Sequence, residues 1–381
     1  MFTGCSDGSS GSDDDSGQVT NTANAGTSGE NSNPSITTTA TKAADLITIL
    51  ESGEYNIAIT GEMTDVSAIK TALQSNKNAK VSLDLSQTTG LTSIAYSAFN
   101  GCGSLTSVNI PDSVTSIGKS AFEGCSNLVS VNIPDSVTSI GACAFNYCTG
   151  LTSVNIPDSV TSIGIGAFFG CTSLTSLSIP DNVTSIGGET FYGCTSLASV
   201  NIPDSVTSIG FSVFCGCGSL TSVVIPDSVT SIGEYAFMDC SSLTSVNIPG
   251  SVTSIGWGIT AGCTSLTELT VSESNSAYKS YENCIYTKDG TTLMAAAGTL
   301  KSVTILESAT CIYAATFCGF NNLTSVTIPA GVTSIEANAF NGCSSLTTVN
   351  YRGTEEQWNA ISIGNYNYSL SDEIINYNYT D

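Results

Sequence analysis

The 381-residue chain contains no histidine. That absence removes Ser-His and Cys-His catalysis, His-ligated zinc and the usual general base near neutral pH. Positive charge is scarce as well: 9 lysines and arginines stand against 32 acidic residues, for a formal net charge of −23. Phosphate binding needs clustered Lys and Arg, so no nucleic-acid partner is expected. Charge of either sign is thin, at 11% of residues against about 25% in ordinary soluble domains. The surface must then be built mostly from Ser, Thr, Asn and Gly, which is unusual for a cytosolic enzyme. No apolar run reaches the ~20 residues that cross a bilayer.

What is present is a repeat. Leu105, Leu128, Leu151, Leu174, Leu197, Leu220, Leu243 and Leu266 are each 23 residues apart, and between them runs one sentence with small edits: LTSVNIPDSVTSIGKSAFEGCSN, LVSVNIPDSVTSIGACAFNYCTG, LTSVNIPDSVTSIGIGAFFGCTS. A clear copy returns from Leu323, and a weaker one from Leu300 keeps Val303, Ile305, Ile312 and Phe317. A degenerate first copy carries Leu83, Leu85, Leu91, Ile94, Phe99 and Cys102.

One copy predicts the geometry of all. Leu105, Val108 and Ile110 form the apolar side of a short strand, with Val108 and Ile110 alternating around Asn109. Pro111 cannot continue a central ladder and turns the chain. Asp112 and Ser113 supply side-chain bonds to the turned backbone. Val114 and Ile117 begin a second extended stretch, closed by Gly118, and Ala121, Phe122 and Cys125 complete the coil with a compact turn. A single coil cannot bury these apolar groups; stacked neighbours can, so the chain is a solenoid that needs end caps.

The pattern L-x-x-V-x-I-P-x-x-V-x-x-I-G-x-x-A-F-x-x-C resembles the BspA-like, or Treponema pallidum-type, leucine-rich repeat family over residues 82–350. The resemblance implies a β-rich leucine-rich-repeat solenoid. It also implies a surface or secreted protein of an anaerobic bacterium or protozoan, adhering to host matrix proteins, host cells or other microbes.

Outside the repeat, residues 1–40 are Ser, Gly, Asp, Asn and Thr and read as a disordered tether. Phe2-Thr3-Gly4-Cys5-Ser6-Asp7 resembles the end of a bacterial lipobox, which makes Cys5 the candidate lipidation site. A lipid there would be the protein's one link to a membrane, placing it at the cell surface as an outer-membrane lipoprotein; the alternative is secretion. Residues 41–81 read as a small α/β N-terminal cap: a helix in ATKAADLITILESG with Leu46, Ile49 and Leu50 on one face, the strand YNIAIT, and a second helix N-capped by Asp65. Around residues 273–298 the period is interrupted, and Lys288-Asp289-Gly290 between CIYT and TTLM predicts an inserted β-hairpin. Residues 351–381 read as a C-terminal cap, with Trp358 in a short helix.

The chemistry reads as structural. Cys102, Cys125, Cys148, Cys171, Cys194, Cys217, Cys240, Cys263 and Cys343 share one slot, one sulfur per coil, without the close C-x-x-C pairs of a zinc site. Phe320 fills that slot in one coil, so it is an apolar pocket and the thiols are expected buried and reduced. Asp112, Asp135, Asp158, Asp181, Asp204 and Asp227 form a second ladder, ending where Gly250 replaces Asp; it reads as turn chemistry in preference to calcium sites. A repeated ladder singles out no pair of acids for catalysis. No enzyme activity, cofactor or metal is expected.

Positions that vary in a near-identical array are those the stacked core does not dictate. Ile165, Phe169, Tyr192, Phe211, Tyr235, Met238 and Trp257 fall at such positions on neighbouring coils and make the candidate binding strip. The strand-lined face carries uniform Ser, Thr and Asn ladders, read as solvated. The expected function is adhesion or protein binding at a cell surface. Its rivals are a passive spacer without a ligand and a glycosylated protozoan surface protein, with acceptors at Asn182, Asn322, Asn367 and Asn378.

Overall fold

The computed structural model describes residues 35–380. Strand β1 (Ser35–Thr39) leads through a 3-10 turn (Ala40–Asp45) into helix α1 (Leu46–Ile49). Strand β2 (Gly53–Glu62), helix α2 (Ser67–Ser75) and strand β3 (Ala79–Thr89) follow. All three strands run parallel in the order β1-β2-β3, and β3 pairs in parallel with Leu105–Asn109, the first regular coil. The cap thus gives the array's first strand a partner on its open edge.

The cap departs from its expected form in three places. Ser35–Thr39, expected to lie within the disordered tether, is instead a strand paired with Asn56–Thr60 on the edge of β2. The first helix is one α-turn behind a 3-10 turn, with Leu46 and Leu50 buried and Ile49 only half-buried. The helix start at Asp65 is displaced: its carboxylate accepts the Ser67 N–H at 2.7 Å, but Val66 holds the capping position.

Through the array, two files of parallel strands repeat. Ser116–Ile117 pairs with Ser93–Ile94 and with Ser139–Ile140, and the same Ser-Ile step recurs in register in the following coils. Glycine follows this step from Gly118 to Gly256, and at Gly164 sterics require it: a Cβ there would land on the backbone of Ala142 in the preceding coil. Inside, Phe99, Phe122, Phe145, Phe168, Phe191, Phe214 and Phe237 form one file of stacked rings, with centroids 5.2–5.8 Å apart. At the next slot stands Thr260, buried, its hydroxyl bonded to the Ala296 carbonyl.

That carbonyl belongs to the insertion. Tyr278–Tyr281 pairs antiparallel with Cys284–Thr287, which pairs antiparallel with Thr292–Ala296; the last strand then rejoins the parallel file beside Cys311–Ile312. Asp289 closes the turn by accepting the Thr291 N–H and the hydroxyls of Thr287 and Thr291, which hold its carboxyl down to about 2. Asn275, fully buried, ties the insertion to the preceding coil. Its amide donates to the carbonyls of Pro249 and Val252, and its oxygen accepts the N–H groups of Ala277 and Tyr278. The aspartate ladder ends at Gly250 because a side chain there would meet Ser274 of this insertion. At the far end helix α3 (Glu355–Asn359) opens with a capping box between Thr354 and Gln357, and buries Trp358 edge-on against Tyr351.

Candidate binding surface

After each Ser-Ile step the chain makes two tight turns that send residues such as Ala121 and Phe122 inward and carry the positions flanking them along the outer ridge. Each turn contains a left-handed residue. The first has Ser120 (φ 55°), Glu189 (57°), Ser212 (51°) and Tyr235 (55°); the second has Gly124 (71°), Gly170 (67°), Gly193 (68°) and Gly216 (74°). Neighbouring ridges are joined by their own hydrogen bonds, Phe122 N–H to Ala144 O and Gly124 N–H to Asn146 O, both 2.7 Å. Side chains in the same slot therefore stand one coil apart.

The variable strip resolves into two groups on this ridge. In the first, Phe169 stacks on Tyr192 with centroids 4.6 Å apart, and Tyr192 meets the thiol of Cys215. In the second, Tyr235 packs against Trp257 at 4.4 Å. Ile165 (52% exposed) and Phe211 (46%) protrude, while Phe169, Tyr192, Tyr235, Met238 and Trp257 are half-buried. Glycines in adjacent coils make room for the rings: Phe211 covers Gly188, and Tyr235 lies within 2.8 Å of where a Gly258 side chain would begin. Burial pushes Tyr235 up to about 12, and burial, then the Asp239 charge, push Cys215 up to about 12.

Three ridge residues were not singled out from the sequence. Tyr147, half exposed, lies over Gly170 and meets Phe169 edge-on at 5.4 Å. Glu189 occupies the first left-handed slot beside Phe211. Asp239 leans over Gly262, and the partial burial of its carboxyl raises its pKa. Tyr147 (φ 53°) and Asp239 (57°) stand where the neighbouring coils have glycine. Tabulating that glycine slot along the repeat would have exposed both.

The strand face is less uniform than its sequence. Asn132 donates to Asn109, which donates to Asp84, so the early amides are used on one another. The ladder lapses at Ser153–Asn155 and again at Ser222–Val224, neither of which forms strand pairs. Between the lapses a groove of about 540 Å³ opens, lined by Ser153, Asn155, Ser178, Asn201 and Val224. Val224, in the asparagine slot, is 78% exposed.

Among the described residues, the fourteen cysteines form no disulfide. Among the described residues no three Cys, Asp or Glu side chains gather at metal-ligand spacing, and no helix is long and apolar enough to cross a membrane. Cys5 lies outside the described residues. Of the glycosylation acceptors, Asn367 is a correction: it is buried, its amide donates to the carbonyls of Glu336 and Gly364, and its oxygen accepts the Phe340 N–H.

Parallel files with one Leu, Val, Ile and Phe rung per 23-residue coil define a leucine-rich repeat solenoid. A family profile described as the BspA type leucine rich repeat region matches residues 74–187, 161–288 and 293–380, in 6 copies, and the chain belongs to that family. It is similar to a leucine rich cell surface protein from Faecalibacterium prausnitzii A2-165, at 31% identity over 71% of this chain and 86% of that one, with a TM-score of 0.46. The T. pallidum leucine rich repeat protein is 33% identical over 50% of this chain and 79% of its own, with a TM-score of 0.39. A leucine-rich repeat protein from Bacteroides ovatus ATCC 8483 shares the fold, with a TM-score of 0.51 at 24% identity over 84% and 87% of the two chains. None of the curated proteins matches the sequence.

Proposed function

We propose that this chain is a surface-displayed binding protein whose ridge strip contacts other proteins: those of a host matrix, of host cells or of other microbes. The observation that carries the reading is the strip itself. In an array whose core rungs repeat almost without change, large apolar side chains vary and protrude on one ridge, at Ile165, Phe211 and Tyr147. Exposed apolar patches of this kind mark interaction sites, and aromatic residues dominate binding energy there. Membership of a family that includes a cell-surface relative supports display outside the cell. Attachment through a lipid on Cys5 is proposed with it, and palmitate labelling that Cys5→Ala leaves unchanged would overturn that attachment.

The test is adhesion of the folded chain to immobilised matrix proteins and to cells. Phe169→Ser, Tyr192→Ser, Phe211→Ser and Trp257→Ser together should abolish it, each anchor contributing on the order of 2 kcal/mol. A second reading rests on the groove between the lapsed ladders, which would place a ligand on the strand face. Loss of adhesion on changing Asn155 and Asn201 to Ala, with the four-site variant intact in binding, selects that face. Wild-type protein that adheres to nothing leaves the passive spacer.

A further inference from the structure

Along the strip the charge has one sign. From residue 120 to residue 278 the chain has no lysine or arginine, while eleven acidic residues occur. Five belong to the Pro-Asp turn ladder on another edge of the coil, whereas Glu189, Glu234 and Asp239 sit in the strip. Glu189 and Glu234 flank Phe211 on either side. The Glu189 N–H donates to the Phe211 carbonyl at 2.8 Å, and the Ser212 N–H donates to the Glu234 carbonyl at 2.8 Å. The exposed ring of Phe211 therefore lies between two acidic residues placed two coils apart, roughly 10 Å along the ridge, a span that about three extended residues cover. Asp239 adjoins Met238 one coil beyond Cys215, and its charge reaches Tyr192 and Cys215.

Two of these acids are held in left-handed backbone, Glu189 and Asp239 at φ 57° each, which costs free energy that glycine would avoid. Burial also raises both carboxyls, so each is partly out of water. Apolar rings interleaved with partly desolvated carboxylates match a guanidinium or ammonium on an apolar stem. Such a group stacks its flat or aliphatic part on an aromatic face while its N–H groups reach the acid.

We propose that the ridge takes an extended cationic segment of a partner protein, with arginine or lysine side chains on Glu189, Glu234 and Asp239 and apolar side chains on Phe169, Tyr192 and Phe211. This rests on the strip being the binding surface, and it adds the partner's chemistry.

The probe is a fluorescein-labelled (Arg-Tyr)4 peptide, with (Gln-Tyr)4 and (Glu-Tyr)4 as controls, titrated with the whole chain by anisotropy. The arginine peptide should bind at least tenfold tighter than the glutamine peptide, and the glutamate peptide should not bind. Glu189→Gln, Glu234→Gln and Asp239→Asn together should remove that tenfold preference. Asp135→Asn, Asp158→Asn and Asp181→Asn, an equal loss of charge on the turn ladder, should leave it in place. Equal binding of the arginine and glutamine peptides keeps the strip as a binding surface and overturns its cationic selectivity. If the turn-ladder variant loses as much as the ridge variant, the attraction is diffuse and the proposal fails. Arginine-peptide binding untouched by the four aromatic-to-Ser changes overturns the strip itself, and no binding by any peptide overturns the cationic segment.

Discussion

The thiol of Cys171 donates to the carbonyl oxygen of Phe145, 3.2 Å away and 26 residues earlier. The same bond joins Cys125 to Phe99, Cys148 to Phe122 and Cys194 to Phe168, so the cysteine file is a ladder of S–H···O contacts laid across successive coils. Each carbonyl also accepts the N–H three residues on, as Phe145 does from Cys148. The slot therefore wants a small apolar group with one donor, and cysteine meets both demands in a pocket closed to water.

Burial pushes the thiols of Cys148, Cys194 and Cys263 from 9.0 up to about 12, and that of Cys171 well above its ordinary value. A raised pKa means the folded state keeps protons that the unfolded chain has given up. Stability is complete below pH 9 and falls as pH rises toward 12, by about 1.4 kcal/mol per pH unit for each such thiol. Several acting together exceed a typical domain stability of about 5–15 kcal/mol within two units. Urea midpoints should be level from pH 6 to 8 and collapse before pH 11. A midpoint unchanged at pH 11, or native thiols that react as fast as denatured ones at pH 8, would contradict the ladder.

The close approach at the Ser-Ile step predicts a position-specific cost. Gly164→Ala should destabilise by about 3 kcal/mol, because the added methyl meets backbone in the adjacent coil and backbone cannot swing aside. Gly218→Ala has its nearest atom, the Ser241 hydroxyl, at 3.5 Å and should fall within about 0.5 kcal/mol of wild type. Thermal unfolding of the two variants side by side decides it.

Asn275 anchors the insertion at the place where the buried core divides into two clusters, one holding Leu269, Tyr278 and Ile285, the other Tyr286, Leu293 and Phe317. Asn275→Ala removes four hydrogen bonds and should cost about 3–5 kcal/mol, concentrated at that seam. The two tryptophans report on opposite sides of it. In the variant, Trp358 fluorescence should shift at lower denaturant than Trp257 fluorescence, each read in a background with the other changed to Phe. Coincident transitions would show that the seam is not where the array parts.

The array was legible because its signal is repeated in every coil: the Leu, Val, Ile and Phe rungs mark the buried face and Pro and Gly mark the turns. Strand β1 was not legible, since SITTT has one apolar residue and gains its order from the β2 edge, which no local pattern announces. The lapse at Ser153–Asn155 left no trace either. Leu151–Pro157 repeats Leu105–Pro111 residue for residue, yet only the earlier copy pairs, so the lapse belongs to the stack and not to the segment. On the ridge, the residues of the strip stood out as large apolar side chains in variable slots, whereas Tyr147 and Asp239 occupy the glycine slot and stand out by what they replace.

That replacement carries a cost in backbone strain. Glycine fills the second left-handed slot in the coils on either side of Tyr147 and Asp239, and a side chain there costs about 1–2 kcal/mol, less for Asp. Asp239→Gly should therefore raise stability by about 1 kcal/mol. Its carboxyl is also raised by burial, which adds an ionisation penalty that is absent below the unfolded carboxyl pKa and grows as pH rises through it. The gain should accordingly be larger at pH 7 than at pH 3.5. Tyr147→Gly should gain less or lose, because the Tyr147 ring covers Gly170 and contacts Phe169. Denaturant midpoints of the two variants at both pH values test the ordering. A destabilised Asp239→Gly protein would mean that Asp239 supports the fold, and its presence in a glycine slot would then say nothing about binding.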